Sequence, residues 1–377
     1  MAGKMIKIPN HIQELKPYKA GKPIEELIRE KNIQKVVKLA SNENPLGPSP
    51  KAMEAVKNHL NDVNRYPNPS SYHLVDAIAK KFQIESEKII SSDGSDSLIQ
   101  YIITAFSSEG DELLSSEGTF IGWYVNVDKL GRKSKLIPLK NYQFDLGRIL
   151  ESISDKTKII YLANPNNPTG TIFTKNEFEH FINKVPENIL VILDEAYTIY
   201  SQFNPDYPNG LEYKYKNLIV LRTLSKSYGL AGLRIGFAVG PKELIKELYK
   251  VRLPFEPNIL AQAAAIASLS DDDFIYKTVN TNRESLKMME KKFKELEINY
   301  IPTSANFFLL LFPDEEYAER FNLECLNKGL ILRYLDSFGI RNGVRINSGT
   351  IDETVFALNV ISEVRDVLKQ KDLNLST

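Results

Sequence analysis

Between about residues 50 and 270, short continuous apolar runs alternate with stretches of helical spacing. Strand-like runs fall at 88–91, 112–115 and 134–139, then at KIIYLA (158–163), ILVILD (189–194) and NLIVLRT (217–223). Helix-like stretches lie before and between them at 71–82, 96–106, 120–130 and 175–184. This alternation predicts an α/β fold with a largely parallel sheet. Runs that are Val, Ile and Leu throughout suit strands covered by helices on both faces.

Beyond 270 the texture changes. DDDFIYKTVNTNRESLKMMEKKFKELEI at 271–298 is long and charged, and strand-like NFFLLLF, ILRYL and VRINS follow it, with helix-like stretches between and after. A second, smaller α+β unit is predicted. A length of 377 residues also suits roughly two domains. The expected division is an arm and the start of the small domain at 1–45, a large domain at 46–270, and the rest of the small domain at 271–377. The arm, with PIEELIREKN at 23–32, is too short to fold alone and is expected to pack on the small domain or on a partner subunit.

Composition narrows the partners. Lysine plus arginine equals aspartate plus glutamate at 48 each, so no overall field steers the chain to nucleic acid or to an anionic membrane. The single cysteine, Cys325, excludes an internal disulfide framework, and MAGKMIKIPN lacks a signal-peptide apolar segment, so a cytoplasmic protein is expected. The apolar runs fall short of the roughly 18 residues of a membrane-spanning helix. The four histidines have no metal-ligand spacing, and no GxSxG elbow is present. A small-molecule ligand is expected.

In a doubly wound sheet, ligands bind beyond the carboxyl ends of the strands, so the residues just after each apolar run are the candidates. After 88–91, Gly94, Ser95 and Asp96 open a helix whose N–H groups suit an anion, although Ser95 is also an ordinary cap. NPNNPTG at 164–170 is a tight turn that holds Asn166 and Asn167 at the sheet edge. Asp194 ends a strand expected to be buried, where a lone charge is costly. TLSKSYGLAGLRIG at 223–236 gathers Ser225, Lys226 and Arg234, and GTFIGW at 118–123 brings Trp123, the one tryptophan, early into a helix. One ligand accounts for all of these: a flat cationic heterocycle with a phosphate and a carbonyl that reacts with an amine. That describes pyridoxal 5′-phosphate, and a lysine joins such a carbonyl once burial and nearby cations depress its pKa.

These residues resemble the fold type I pyridoxal-phosphate-dependent class II aminotransferases, and specifically the histidinol-phosphate aminotransferase family. The likeness runs from LKPYKAGKPIEEL and LASNENPLGPSP through RYPNPSSYHL, GSDSLI, TFIGW, NPNNPTG, DEAY and TLSKSYGLAGLRIG to ILRYL and VRINSGT. It implies a large domain with a mostly parallel seven-stranded sheet flanked by helices, and a smaller α+β domain. It further implies that Lys226 bonds the cofactor and moves the proton between substrate Cα and cofactor C4′. Asp194 pairs with the pyridinium nitrogen, Asn167 and Tyr197 hold the phenolic oxygen, and Trp123 stacks on the ring. Ser95, Asp96, Ser225 and Arg234 take the phosphate, and Tyr66 reaches it from the neighbouring subunit of a homodimer with shared active sites. Tyr18, Asn42, Asn167, Arg333 and Arg345 face the substrate.

The implied reaction is transamination of L-histidinol phosphate with 2-oxoglutarate, giving imidazole acetol phosphate and glutamate, in histidine biosynthesis. Two readings keep the scaffold: an aromatic amino acid aminotransferase and a phosphothreonine-type decarboxylase. A third makes the chain a non-catalytic regulatory module, against which Lys226, Asp194, Asn167 and Arg234 all stand. The chain departs from the family pattern in Gly118, where a proline is commoner, and in Trp123, where a tyrosine is. RLPFEPN at 252–258 replaces RxPFNVN, which puts Glu256 in a loop expected to border the substrate end.

Overall fold

A computed structural model describes residues 6–15, 17, 27, 29 and 35–375. After the short strand β1 (Val37–Lys38), the chain builds seven strands of one sheet: β2 (Ile89–Ser92), β3 (Glu112–Ser116), β4 (Lys133–Ile137), β5 (Thr157–Ala163), β6 (Leu190–Asp194), β7 (Leu218–Thr223) and β8 (Gly236–Val239). Their order across the sheet is β2-β8-β7-β6-β5-β3-β4. Every neighbouring pair is parallel except those made by β8, which runs antiparallel to both β2 and β7.

The apolar runs explain the order of burial. On β5 and β6 every residue but Lys158 is buried, because helices cover both faces. Each Val, Leu or Ile so enclosed contributes about 1.5–3 kcal/mol relative to exposure. The helices Ser95–Phe106, Ile121–Lys129 and Lys175–Ile182 send Leu98, Ile102, Val127, Phe178 and Phe181 into the same core. Helix Lys175–Ile182 starts at a reciprocal cap, in which Thr174 and Glu177 each satisfy the other's backbone N–H.

The second sheet comprises β9 (Asn299–Ile301), β10 (Phe307–Leu311), β12 (Arg333–Tyr334) and β13 (Gly343–Asn347), antiparallel throughout in the order β12-β13-β10-β9. Helix Asp272–Glu295 leads into it, with acids in its first turn and lysines in its last, as the helix dipole favours. The sheet's core joins Phe293, Phe308, Leu310, Val344 and Ile361 of helix Ile351–Leu375. The strand β1 pairs in parallel with β11 (Leu330–Ile331), and Leu27 packs with Ala40 and Ile331. Residues before the first sheet are thereby tied to residues after it, and Ala40, Ser41 and Asn42 reach the gap between the two sheets.

Candidate active site

A cavity of about 230 Å³ opens at the carboxyl ends of β5, β6 and β7, and Arg333, Phe338 and Arg345 close it from the smaller sheet. The end of β6 supplies Asp194, 4% exposed. The Tyr161 hydroxyl donates to its Oδ2 (2.8 Å) and the Ala196 backbone N–H to its Oδ1 (3.0 Å). Burial pushes the carboxyl up to about 6, against the pull of these two donors.

The loop after β7 is held by its own backbone. Leu224 N–H donates to Ile235 O and Leu230 N–H to Leu224 O, each at 3.1 Å. Gly229 has φ +71, and a Cβ there would stand 2.1 Å from Gly47 O, so only glycine lets the loop seat against residues 47–48. On it, Lys226 faces the cavity and its Nζ donates to Ser41 O (3.1 Å). Burial, helped by the charge of Arg345, lowers its pKa to about 8. Such a lysine is a far better nucleophile at neutral pH than an exposed one.

At the start of helix Ser95–Phe106 the cavity wall carries Ser95 and Asp96, with Ser225 and Arg234 beside them. Gly94 has φ +95, and a Cβ on it would meet Arg234 Nη2 at 2.8 Å. Helix N–H groups, hydroxyls and a guanidinium thus converge on one small space suited to an anion. Arg234 and Asn42 both hold left-handed backbones (φ 55 and 56), a strained geometry that collects at functional sites.

Along the opposite wall, Asn42 Nδ2 donates to the Tyr197 hydroxyl oxygen (2.8 Å), which leaves that phenol its own proton to donate. Asn42 Oδ1 is buried without a hydrogen-bond partner among the described residues. Arg345, 5% exposed, donates to Asn167 Oδ1 and to Ala40 O (2.7 Å). Arg333 lies directly opposite Arg345 in the β12–β13 register, and both guanidinium groups pack near the Phe338 ring.

The cavity therefore gathers Ser95, Asp96, Asn167, Asp194, Tyr197, Ser225, Lys226 and Arg234, together with Asn42, Arg333 and Arg345. Two of the expected residues are not on this cavity's wall. Trp123 is not on the wall: it is fully buried behind it, its ring stacked on Tyr161 at 4.7 Å and 11°. It sits two residues into helix Ile121–Lys129, and that turn carries its side chain back toward the sheet. The wall positions fall to Phe120 and Ile121 instead. Tyr66 is 80% exposed and stacks on Phe255 (4.4 Å), outside this chain's own cavity. Tyr18 lies outside the described residues.

Glu256 also departs from expectation. It accepts from Ser92 Oγ (2.6 Å) and from the Tyr101 hydroxyl (2.8 Å), buried beside β2 and off the cavity wall. Gly118 adopts φ +60, which proline cannot. Phe120, Ile121, Phe338 and Tyr161 are wall residues that the strand-end reasoning did not single out. Tyr161 left the one usable signal, a hydroxyl inside the apolar run KIIYLA.

A half-buried lysine of lowered pKa, an acid at a strand end and an anion cradle, set at the edge of a mostly parallel sheet, define a group-transfer site built around an amine. The chain belongs to the aminotransferase class I and II family, whose sequence model matches residues 34–360. Histidinol-phosphate aminotransferase 2 of Pasteurella multocida is 43% identical over 354 residues, 94% of this chain and 96% of the relative. Histidinol-phosphate aminotransferase 1 of Mannheimia succiniciproducens is 44% identical over 91% of this chain and 93% of its own length. Among solved structures, the histidinol-phosphate aminotransferase of Sinorhizobium meliloti in complex with pyridoxal 5′-phosphate superposes with TM-score 0.89 at 25% identity, covering 96% of this chain and 98% of that one. The fold is that of the fold type I aminotransferases.

Proposed function

We propose that the chain binds pyridoxal 5′-phosphate and moves the amino group of L-histidinol phosphate to 2-oxoglutarate, a step of histidine biosynthesis in the cytoplasm. The residues suit the cofactor. Gly94 and Arg234 frame a space that even one Cβ would fill, next to helix N–H groups that take a phosphate. Asp194 is a buried carboxylate whose two bonded donors, a phenol and a backbone N–H, carry no charge, so a cationic ring nitrogen completes it. Bound there, the cofactor supplies an aldehyde that joins the substrate amine and a protonated ring that draws electrons from Cα.

The chain's own groups do the rest. Lys226 would hold the cofactor through Nζ and would move a proton at substrate Cα and cofactor C4′, a task matched by a pKa of about 8. Asp194 would hold the proton on the ring nitrogen. Tyr197 and Asn167 would donate to the phenolic oxygen, and Phe120 would offer its ring as apolar cover. Ser95, the N–H of Asp96, Ser225 and Arg234 would hold the phosphate.

The substrate reading is carried by one observation. Arg333 and Arg345 stand opposite each other in the antiparallel β12–β13 pair and both line the cavity, so two guanidinium groups reach one space. Two guanidinium groups match a substrate with a phosphate at one end, and Phe338, Phe120 and Ile121 offer apolar surface for the imidazole. A homodimer with shared sites is part of this proposal, with Tyr66 reaching the neighbouring subunit's phosphate; its exposure beside Phe255 supports that reading. The division into an arm at 1–45, a cofactor-binding domain at 46–270 and a small domain at 271–377 belongs to it as well.

The test follows the visible absorbance of the cofactor-loaded protein as L-histidinol phosphate, phenylalanine, phosphothreonine and glutamate are added singly without acceptor. Conversion at lower concentration of histidinol phosphate than of phenylalanine is expected. Preference for phenylalanine replaces the substrate with an aromatic amino acid, and carbon dioxide release from phosphothreonine replaces the reaction with decarboxylation.

A further inference from the structure

Tyr161 is placed by β5 rather than by any loop. In the β5–β6 register Ala163 faces Asp194 and Tyr161 faces Ile192, and residues two apart share one face of a sheet. The ring of Tyr161 therefore lies one step behind Asp194 on the same face and reaches forward to it. Ser115 Oγ donates to Tyr161 O (2.8 Å), which ties the strand at that residue to β3. Trp123 stacks flat on the outer side of the ring, and both side chains are fully buried.

A buried phenol has to find a partner, and this one donates to Asp194 Oδ2. Oδ1 of the same carboxylate is already held by Ala196 N–H. One anchor leaves a carboxylate free to turn about its Cβ–Cγ bond. Two anchors on two oxygens fix its plane and leave the remaining lone pairs aimed in one direction.

We propose that Tyr161, clamped by Trp123, is a positioning residue that fixes the plane and the charge of Asp194 toward the cofactor's ring nitrogen. This rests on the reading that the cavity takes pyridoxal 5′-phosphate. The titratable and charged groups around Asp194 are Tyr161 on β5, Glu195 and Tyr197 on its own segment, Tyr207, Asp96 at the helix start and Lys226 across the cavity. Replacing Tyr161 by phenylalanine removes one hydroxyl and leaves the others in place.

The experiment compares apoprotein of the wild type, Tyr161→Phe, Asp194→Asn and the double variant. Each is titrated with pyridoxal 5′-phosphate between pH 5 and 9, with binding followed by the fluorescence of Trp123, the one tryptophan, and by cofactor absorbance. Wild-type affinity is expected to fall as the pH drops through about 6, where Asp194 takes up its proton. Hydrogen bonds to the charged form lower a carboxyl pKa, so Tyr161→Phe should move that acid limb upward by about one pH unit and weaken binding near neutrality by roughly tenfold.

In the Asp194→Asn background the acid limb is expected to vanish, and Tyr161→Phe to add no further loss. In turnover, kcat should fall while KM stays within about twofold. An unchanged acid limb and affinity in Tyr161→Phe overturns the proposal, whatever happens to its melting temperature, and reduces Tyr161 to a packing residue. Failure of the wild type itself to bind pyridoxal 5′-phosphate instead overturns the cofactor reading beneath it.

Discussion

The end of β6 separates two regions that use the same chemistry in opposite ways. On the side away from the cavity, Glu195 is fully enclosed and accepts from Arg222 Nε (3.0 Å) and Nη2 (2.8 Å), while Gly210 N–H binds its other oxygen (2.6 Å). Arg222 also donates to Asn209 and lies over the Phe82 ring. On the cavity side, the preceding residue, Asp194, has two neutral donors and a pKa raised to about 6. Both carboxylates bear the desolvation cost of burial, but only Glu195 is matched by a cation of the protein. A charge matched from within holds a fold together, whereas a charge left to be matched from outside marks where a cationic ligand belongs.

The sharpest way to break this comparison is to neutralise each acid in turn. On the proposed function, Asp194→Asn removes the partner of the cofactor's ring nitrogen, and kcat should fall by about 10³-fold or more, roughly 4 kcal/mol of transition-state stabilisation. The same change relieves a buried charge, so the apoprotein's melting temperature should hold or rise; a fall in melting temperature with activity kept would reverse the assignment. Glu195→Gln should do the opposite. It strands the Arg222 charge in the interior, at a cost of about 3 kcal/mol. The midpoint in a urea titration should drop accordingly, while cofactor affinity changes little in the protein that remains folded.

The arginines divide by place. Arg222 pairs with Glu195 on the side away from the cavity, whereas Arg333 and Arg345 line the cavity from the neighbouring strands β12 and β13. Arg333→Met should cost about 2 kcal/mol in kcat/KM for a phosphate-bearing substrate through loss of charge-assisted bonds, with little effect on an uncharged aromatic amine of similar size. Equal losses for both would place Arg333 among the structural cations with Arg222.

What could be read from the chain ahead of the fold follows the same division. Strands such as β5, β6 and β7 announce themselves because a strand buried on both faces must be apolar throughout, and the residues after them inherit the sheet edge by geometry. The strand β8 did not, since GFAV is four residues long, bounded by glycines, and becomes a strand only through its pairing with β2 and β7. Side-chain direction is the other loss. Trp123 and Phe120 lie three residues apart at the start of one helix, and which of them faces the cavity depends on the turn that the helix has made by then. Glu256 was legible as an acid near the site, but the Ser92 and Tyr101 hydroxyls that draw it inward come from distant positions in the chain.

The gentlest test uses pH on the apoprotein. Lys226 has a folded-state pKa of about 8 against 10.5 for the free side chain. Between those values the unfolded chain binds more protons than the folded one, so this lysine makes stability rise with pH across the window. Asp194, raised to about 6 from 3.8, has the opposite sign: between those values the folded chain holds more protons, and stability falls as pH rises. Wild-type apoprotein should therefore gain about 2 kcal/mol relative to Lys226→Met between pH 8 and 10.5, after allowance for the part of the lysine that faces cavity water. Glu195 and Arg222 contribute nothing to that difference, because the pair is common to both proteins. A difference that stays flat with pH would show that Lys226 keeps its proton at ordinary cost and is no more strained in the empty cavity than a surface lysine. The comparison between matched and waiting charges would then hold for Asp194 alone.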